Sequence, residues 1–90
     1  MNSKEIQEQV LDWAYEQNFT APYGVVDGEG RNPKGTKYLS VTFGYARTLD
    51  AHVRIFNRNF MIYESSLREK EVFKDSNNLM TFLKERFGGH

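Results

Sequence analysis

The chain has 90 residues, 39% of them hydrophobic and 14% aromatic, which is enough for one small core and too much for a disordered segment. It contains no cysteine, which excludes disulfides and thiolate metal sites. Twelve bases balance twelve acids at a pI near 6.7, unlike the strongly basic domains of most dedicated nucleic-acid binders. Lys4, Glu5, Glu8, Asp12 and Glu16 interrupt the start of the chain, so no signal-peptide core stands there. No apolar run reaches the roughly 18 residues of a membrane span. The expectation is one cytoplasmic domain over 1–90 with no membrane partner.

A first helix is expected over about 3–17. Asn2 or Ser3 caps it, and Glu5 and Glu8 complement its positive start. Ile6, Val10, Trp13 and Ala14 form one apolar stripe with Leu11 beside it. Glu5, Glu8, Gln9, Asp12 and Glu16 make the solvated side. Asn18 and Pro22 end the helix.

A short strand is expected over 23–27, followed by a mobile Gly-rich loop over 28–36 carrying Arg31, Pro33 and Lys34. From Lys37 the period becomes two, with Leu39, Val41, Phe43 and Tyr45 alternating with Tyr38, Ser40, Thr42 and Gly44. Two hairpins follow. A loop of Thr48, Leu49 and Asp50 would pair Tyr45 with Val53 and Phe43 with Ile55. A loop of Asn57 and Arg58 would pair Ile55 with Phe60 and Val53 with Ile62. The buried face is then Leu39, Val41, Phe43, Tyr45, Val53, Ile55, Phe60 and Ile62. Tyr38, Ser40, Thr42, His52, Arg54, Phe56, Met61 and Tyr63 occupy the other face.

A polar turn covers 65–70, and 71–74 supplies a fifth short edge strand if it pairs. Asp75 or Ser76 caps the last helix. Leu79, Phe82, Leu83 and Phe87 form its stripe, and Gly88 and Gly89 stop it. The expected fold is α+β: helix, four or five antiparallel strands, helix, with both helices on one face of the sheet. The predicted core is Val10, Trp13, Leu39, Val41, Phe43, Val53, Ile55, Ile62, Phe82 and Leu83.

Charge is unevenly placed along this neutral chain. Residues 1–30 hold one base against six acids, and residues 31–58 hold six bases against Asp50 alone. A basic surface attracts anionic partners. Several nucleotide-binding patterns fail on inspection. Gly30 and Gly35 have P-loop spacing, but Thr36-Lys37 reverses the motif and a strand follows it. Phe43-Gly44-Tyr45-Ala46 is similar to the base-stacking strand of RNA-recognition motifs, but its aromatics belong to the buried alternation. Double-stranded-RNA-binding domains share the helix–strands–helix order. They open their second helix with lysines, where this chain has Asp75-Ser76-Asn77-Asn78.

The uncovered sheet face is the candidate site. Tyr38, His52, Arg54, Phe56, Met61 and Tyr63 lie on it, flanked by Arg31, Lys34, Lys37, Arg47 and Arg58. Aromatics among bases suit either single-stranded nucleic acid, through stacking and charge, or an acidic protein surface. The sequence reading is a non-enzymatic regulatory or adaptor protein that binds an acidic protein partner. Single-stranded nucleic acid is the alternative. A small ribonuclease built on His52, Arg54 and Tyr63 is the remote one. Neither a metal site nor a cofactor is expected, since His52 and His90 have no ligand spacing. Acidic helix and basic sheet also suggest a weak, salt-sensitive homodimer, helped by an exposed Phe56, Met61 and Tyr63.

Overall fold

The computed structural model describes residues 2–19, 24–45, 48–64 and 70–88, with the backbone alone at 45 and 48–50. The elements are α1 (Ser3–Glu16), β1 (Gly24–Arg31), β2 (Lys37–Tyr45), β3 (Thr48–Ile55), β4 (Phe60–Glu64), β5 (Glu71–Phe73) and α2 (Ser76–Phe87). The strands pair antiparallel in chain order to form one five-stranded sheet. Both helices cover one face of it, because the α1 and α2 stripes share a single apolar cluster with β2, β3 and β4. Among the described residues, no helix is long and apolar enough to cross a membrane.

Local chemistry accounts for the helix ends. The Asn2 side chain accepts from the Glu5 backbone N–H at 2.9 Å, and the Glu5 carboxylate accepts from the Asn2 N–H at 3.4 Å, which together form a capping box. Ile6, Val10, Trp13 and Ala14 are buried, while Glu5, Glu8, Asp12 and Glu16 face solvent. Gln7 is also buried, which the hydrophobic pattern does not reveal. Its Nε2 donates to the carbonyls of Gly28 at 3.2 Å and Ser40 at 3.1 Å, fixing α1 across β1 and β2. In α2, the Asp75 carboxylate accepts from the Asn77 N–H at 2.8 Å. Lys84 and Arg86 complement the negative end of the helix. The buried carboxylate of Glu64 accepts from Arg86 Nε at 2.9 Å, tying β4 to α2.

Several expectations shift. β1 runs on through Gly28 and Gly30 to Arg31, because these residues pair with β2 up to Lys37. Only 32–36 connect the two strands. Residues 48–50 belong to β3 and are not a loop: Tyr45 pairs with Thr48 and Gly44 with Leu49. An irregularity at Phe43–Gly44 then places Phe43 opposite Ala51 and Val41 opposite Val53. Phe43 thus meets Ala51 where Ile55 was expected, a slip of four residues. An even slip preserves both faces, and a small residue opposite Phe43 leaves room for its ring. The second hairpin has the expected register, Ile55 with Phe60 and Val53 with Ile62, closed by Phe56 N–H to the Asn59 carbonyl at 2.9 Å. Leu39 and Phe82 are half-buried at the rim of the core. Phe82 meets Phe73 there, and Met80 takes the deeper place on α2. The expectations for Tyr23, the Tyr45 side chain, Arg47, residues 65–69, Gly89 and His90 lie outside the described residues.

Phe43 is the hub of the core. It is fully buried, and its ring lies 5.5 Å from Trp13, 4.7 Å from Phe19 and 5.2 Å from Phe87. It therefore joins both helices to the sheet. Replacing Phe43 or Trp13 by Ala should each cost about 3–5 kcal/mol of stability, a large share for a small domain. Urea denaturation will read this as a lower midpoint at an unchanged slope. A cost below about 1 kcal/mol at Phe43 is inconsistent with the hub.

Candidate functional site

Because β3 buries Val53 and Ile55, it must present His52 and Arg54 on the opposite face. There Arg54 stands between Ser40 of β2 and Met61 of β4, and His52 between Thr42 and Tyr63. Tyr38 and Tyr63 lie diagonally to either side of Arg54. Its guanidinium sits 4.6 Å from the Tyr38 ring centroid and 4.8 Å from that of Tyr63, held between two aromatic faces. Each such contact contributes about 0.5–2 kcal/mol, more as water is excluded.

The sandwich depends on Gly30. A Cβ at that position would lie 2.6 Å from Tyr38 Oη and 2.8 Å from its Cζ, so the glycine lets the Tyr38 ring lie across β1. Tyr38 also packs on Phe56 at 5.4 Å between ring centroids. Phe56 is only 8% exposed, so it is a support for Tyr38 and not the exposed apolar residue that the sequence suggested. Met61 and Tyr63 are half-buried, and the Tyr63 hydroxyl donates to Met61 Sδ at 3.6 Å.

Arg54 has no carboxylate partner among the described residues. Its Nε is buried and makes no hydrogen bond, a deficit of about 1–3 kcal/mol in proteins generally. β1 acids do not help, since Asp27 and Glu29 pair with Val41 and Leu39 and so share the parity of the helix-covered face.

The loop over 32–36 frames one side of the site. The Asn32 side chain accepts from the N–H groups of Lys34 at 3.0 Å and Thr36 at 2.9 Å, and Gly35 N–H donates to the Asn32 carbonyl at 2.8 Å. Gly35 takes φ +87°, as a glycine closing an Asn-Pro-x-Gly turn should. The segment expected to be mobile is thus pinned by its own hydrogen bonds. It holds Pro33 and Lys34 over a recess of about 300 Å³ lined also by Arg54, Phe56, Met61, Tyr63 and Lys70.

The predicted basic residues therefore separate into two groups. Lys34 joins Arg54, and Arg58 stands exposed at the tip of the neighbouring hairpin. Arg31 and Lys37 pair with each other and share the parity of Leu39, so they fall on the helix side. Arg31 donates to the Gly35 carbonyl at 2.8 Å, and Lys37 lines a small recess with Ser3 and Glu29. Arg47 lies outside the described residues. Sequence reasoning missed Lys70 and Asn59, which enter the site only through the β4–β5 pairing and the hairpin closure.

His52 has the one resolved pKa shift among the described residues. Burial lowers it from 6.5, and the neighbouring Arg54 charge lowers it further. Thr42 Oγ1 lies 2.7 Å from His52 Nδ1, and Tyr38 and Tyr63 flank the imidazole, each 6.3 Å away between ring centroids. The Thr42–His52 contact has the length of a nucleophile–base pair, yet no third group among the described residues orients the imidazole. No group of three His, Asp or Glu side chains able to hold a metal occurs among the described residues. What the face offers chemically is a fixed cation, unpaired among the described residues, with lysines around it. No protein-family model matches the chain, and neither does any curated protein or solved structure.

Two predictions follow from this geometry. Folding favours neutral His52, so its contribution is complete above about pH 6.5 and is lost as pH falls through the lower folded value. The urea midpoint should therefore drop as pH falls from about 7.5 to about 5.5, and His52→Gln should flatten that dependence. An identical slope in the variant removes His52 as the cause. Gly30→Ala should push the Tyr38 ring aside. In NMR spectra the Arg54 Nε–H, shifted upfield by the two rings in the native protein, should then move downfield while the urea midpoint changes little. An unmoved resonance would mean that Tyr38 does not depend on Gly30.

Proposed function

We propose that this protein is a small regulatory or adaptor protein that binds an acidic segment of another protein through its open sheet face, without catalysis. The observation that carries the reading is Arg54, a guanidinium fixed between Tyr38 and Tyr63 with no carboxylate partner among the described residues. A cation held in place loses little rotamer freedom when it meets an anion, and planar Arg recognises carboxylates in two-point fashion. Lys34, Lys70 and Arg58 surround it and would steer an acidic partner.

The aromatic rings favour protein over single-stranded nucleic acid as the ligand. Base stacking needs free ring faces. Tyr38 is engaged by Arg54 and Phe56, Tyr63 has one face under Arg54, and Phe56 is buried. The open face is thus built around its cation and presents few free stacking platforms. His52 lies beside that cation with its Nδ1 already engaged by Thr42, which suits a structural imidazole better than a catalytic base.

Fluorescence anisotropy with a labelled oligoglutamate peptide, single-stranded DNA and RNA at two salt concentrations tests this directly. The peptide should bind at low salt and weaken as salt rises, and Arg54→Gln should lower its affinity about tenfold or more. Tighter binding of DNA or RNA, with a steep salt dependence, would transfer the face to nucleic acid. RNA cleavage abolished by His52→Ala would overturn the non-catalytic reading.

A further inference from the structure

Beside the recess at Arg54 lies a second one of about 410 Å³, lined by Asn32, Thr36, Phe56, Asn57, Arg58, Asn59 and Met61. The two share Asn32, Phe56 and Met61, so they adjoin along the edge of the pinned 32–36 loop. Among the described residues neither is lined by a carboxylate, and each ends in cations: Lys34 and Lys70 for the first, Arg58 for the second. Their common floor is apolar. Each also holds a residue with a buried, unpaired polar atom. In the first this is a donor, Arg54 Nε, and in the second an acceptor, Asn59 Oδ1.

We propose that the two recesses together receive an extended acidic segment of the partner protein, with one apolar side chain seated on Phe56 and Met61 and a neighbouring carboxylate against Arg54. This rests on the acid-binding reading above and states the form of its ligand. An extended chain carries the carboxylate and carbonyl acceptors that the Arg54 guanidinium, Lys34 and Lys70 can meet. Its side chains alternate, so residues two apart point to the same side at a spacing of about 7 Å. An apolar residue can therefore enter the floor while the acids on either side of it reach cations. A nucleic-acid backbone offers acceptors in plenty but no apolar side chain for Phe56 and Met61. The acidic side of α1 from a second copy carries Glu8, Asp12 and Glu16 in one row, but a helix about 10 Å across would bridge the recesses without entering them.

The test compares two labelled peptides of equal length, one of glutamates only and one with a single central leucine, against the native protein, Met61→Gln and Arg54→Gln. The leucine peptide should bind about tenfold more tightly to the native protein. Met61→Gln should bring the ratio of the two affinities to about one, whereas Arg54→Gln should weaken both peptides and keep the ratio. Equal affinity of the two peptides, with sensitivity to Arg54→Gln retained, overturns the recess proposal and leaves acid binding standing. Failure of both peptides to bind at low salt overturns the two together. Sedimentation supplies one further outcome: a salt-sensitive dimer dispersed by Met61→Gln would assign the recesses to a second copy and overturn the proposal as well.

Discussion

The structure depends on the parity of β3. Val53 and Ile55 are almost wholly buried beneath the helices, which leaves His52 and Arg54 only the opposite face. A shift by one residue would bury a guanidinium and expose two branched aliphatic chains, costs of several kcal/mol in each direction. Everything else in the sheet respects this choice. The irregularity between Phe43 and Gly44 skips one residue, Asp50, and below it Phe43, Val41 and Leu39 pair with Ala51, Val53 and Ile55 on the covered face. Phe43, on the same side as Val53, gathers rings from α1, the segment after it and α2. Core and candidate site are thus two consequences of one alternation, separated by the thickness of a single sheet.

A second chain of causes leads from a glycine to a charge. Gly30 lacks the atom that would displace Tyr38, so the ring lies across β1, and from there it covers one side of Arg54. Phe56 supports the same ring from the hairpin, and Tyr63 covers the other side of the guanidinium. Four strands or their connections therefore contribute to placing one side chain. An arginine on a surface strand would ordinarily sample many rotamers and pair with any nearby acid. Here the rings close the first outlet, and strand parity turns Asp27 and Glu29 of β1 away from the second.

Much of this was legible in the sequence, and the exceptions have physical reasons. Alternation from Tyr38 to Phe43 and from His52 to Tyr63 gives the observed parity of Thr42, His52, Arg54, Met61 and Tyr63, because a buried face fixes parity whatever the loop length. The caps at Asn2 and Asp75 are equally visible, since their side chains act locally. The first hairpin is not, because Thr48, Leu49 and Asp50 suit a loop by composition and enter β3 only through pairing with Gly44 and Tyr45. β1 is hidden for a similar reason. Gly28 and Gly30 look like loop residues until cross-strand Ser40 lies against the first and the Tyr38 ring against the second. Lys34 belongs to the site because the hydrogen-bonded 32–36 turn holds it there, and Lys37 does not because its strand parity is that of Leu39. Buried Gln7 and Glu64 escape any hydrophobic pattern, because their partners are carbonyls and an arginine far away in sequence.

The neutral net charge conceals a polarised particle. Glu8, Asp12 and Glu16 face solvent on α1, beyond the helix-covered side of the sheet, while Arg54, Lys34 and Lys70 meet on the open side. Within about 10 Å, the reach of a charge at physiological salt, a partner on the open face meets cations and does not sense the acids behind the sheet. Net charge and pI are therefore poor guides to what this face attracts. Local charge, fixed by strand parity and without a carboxylate partner at Arg54 among the described residues, is the better one, and the proposed ligand is an anion that also presents an apolar side to Phe56 and Met61.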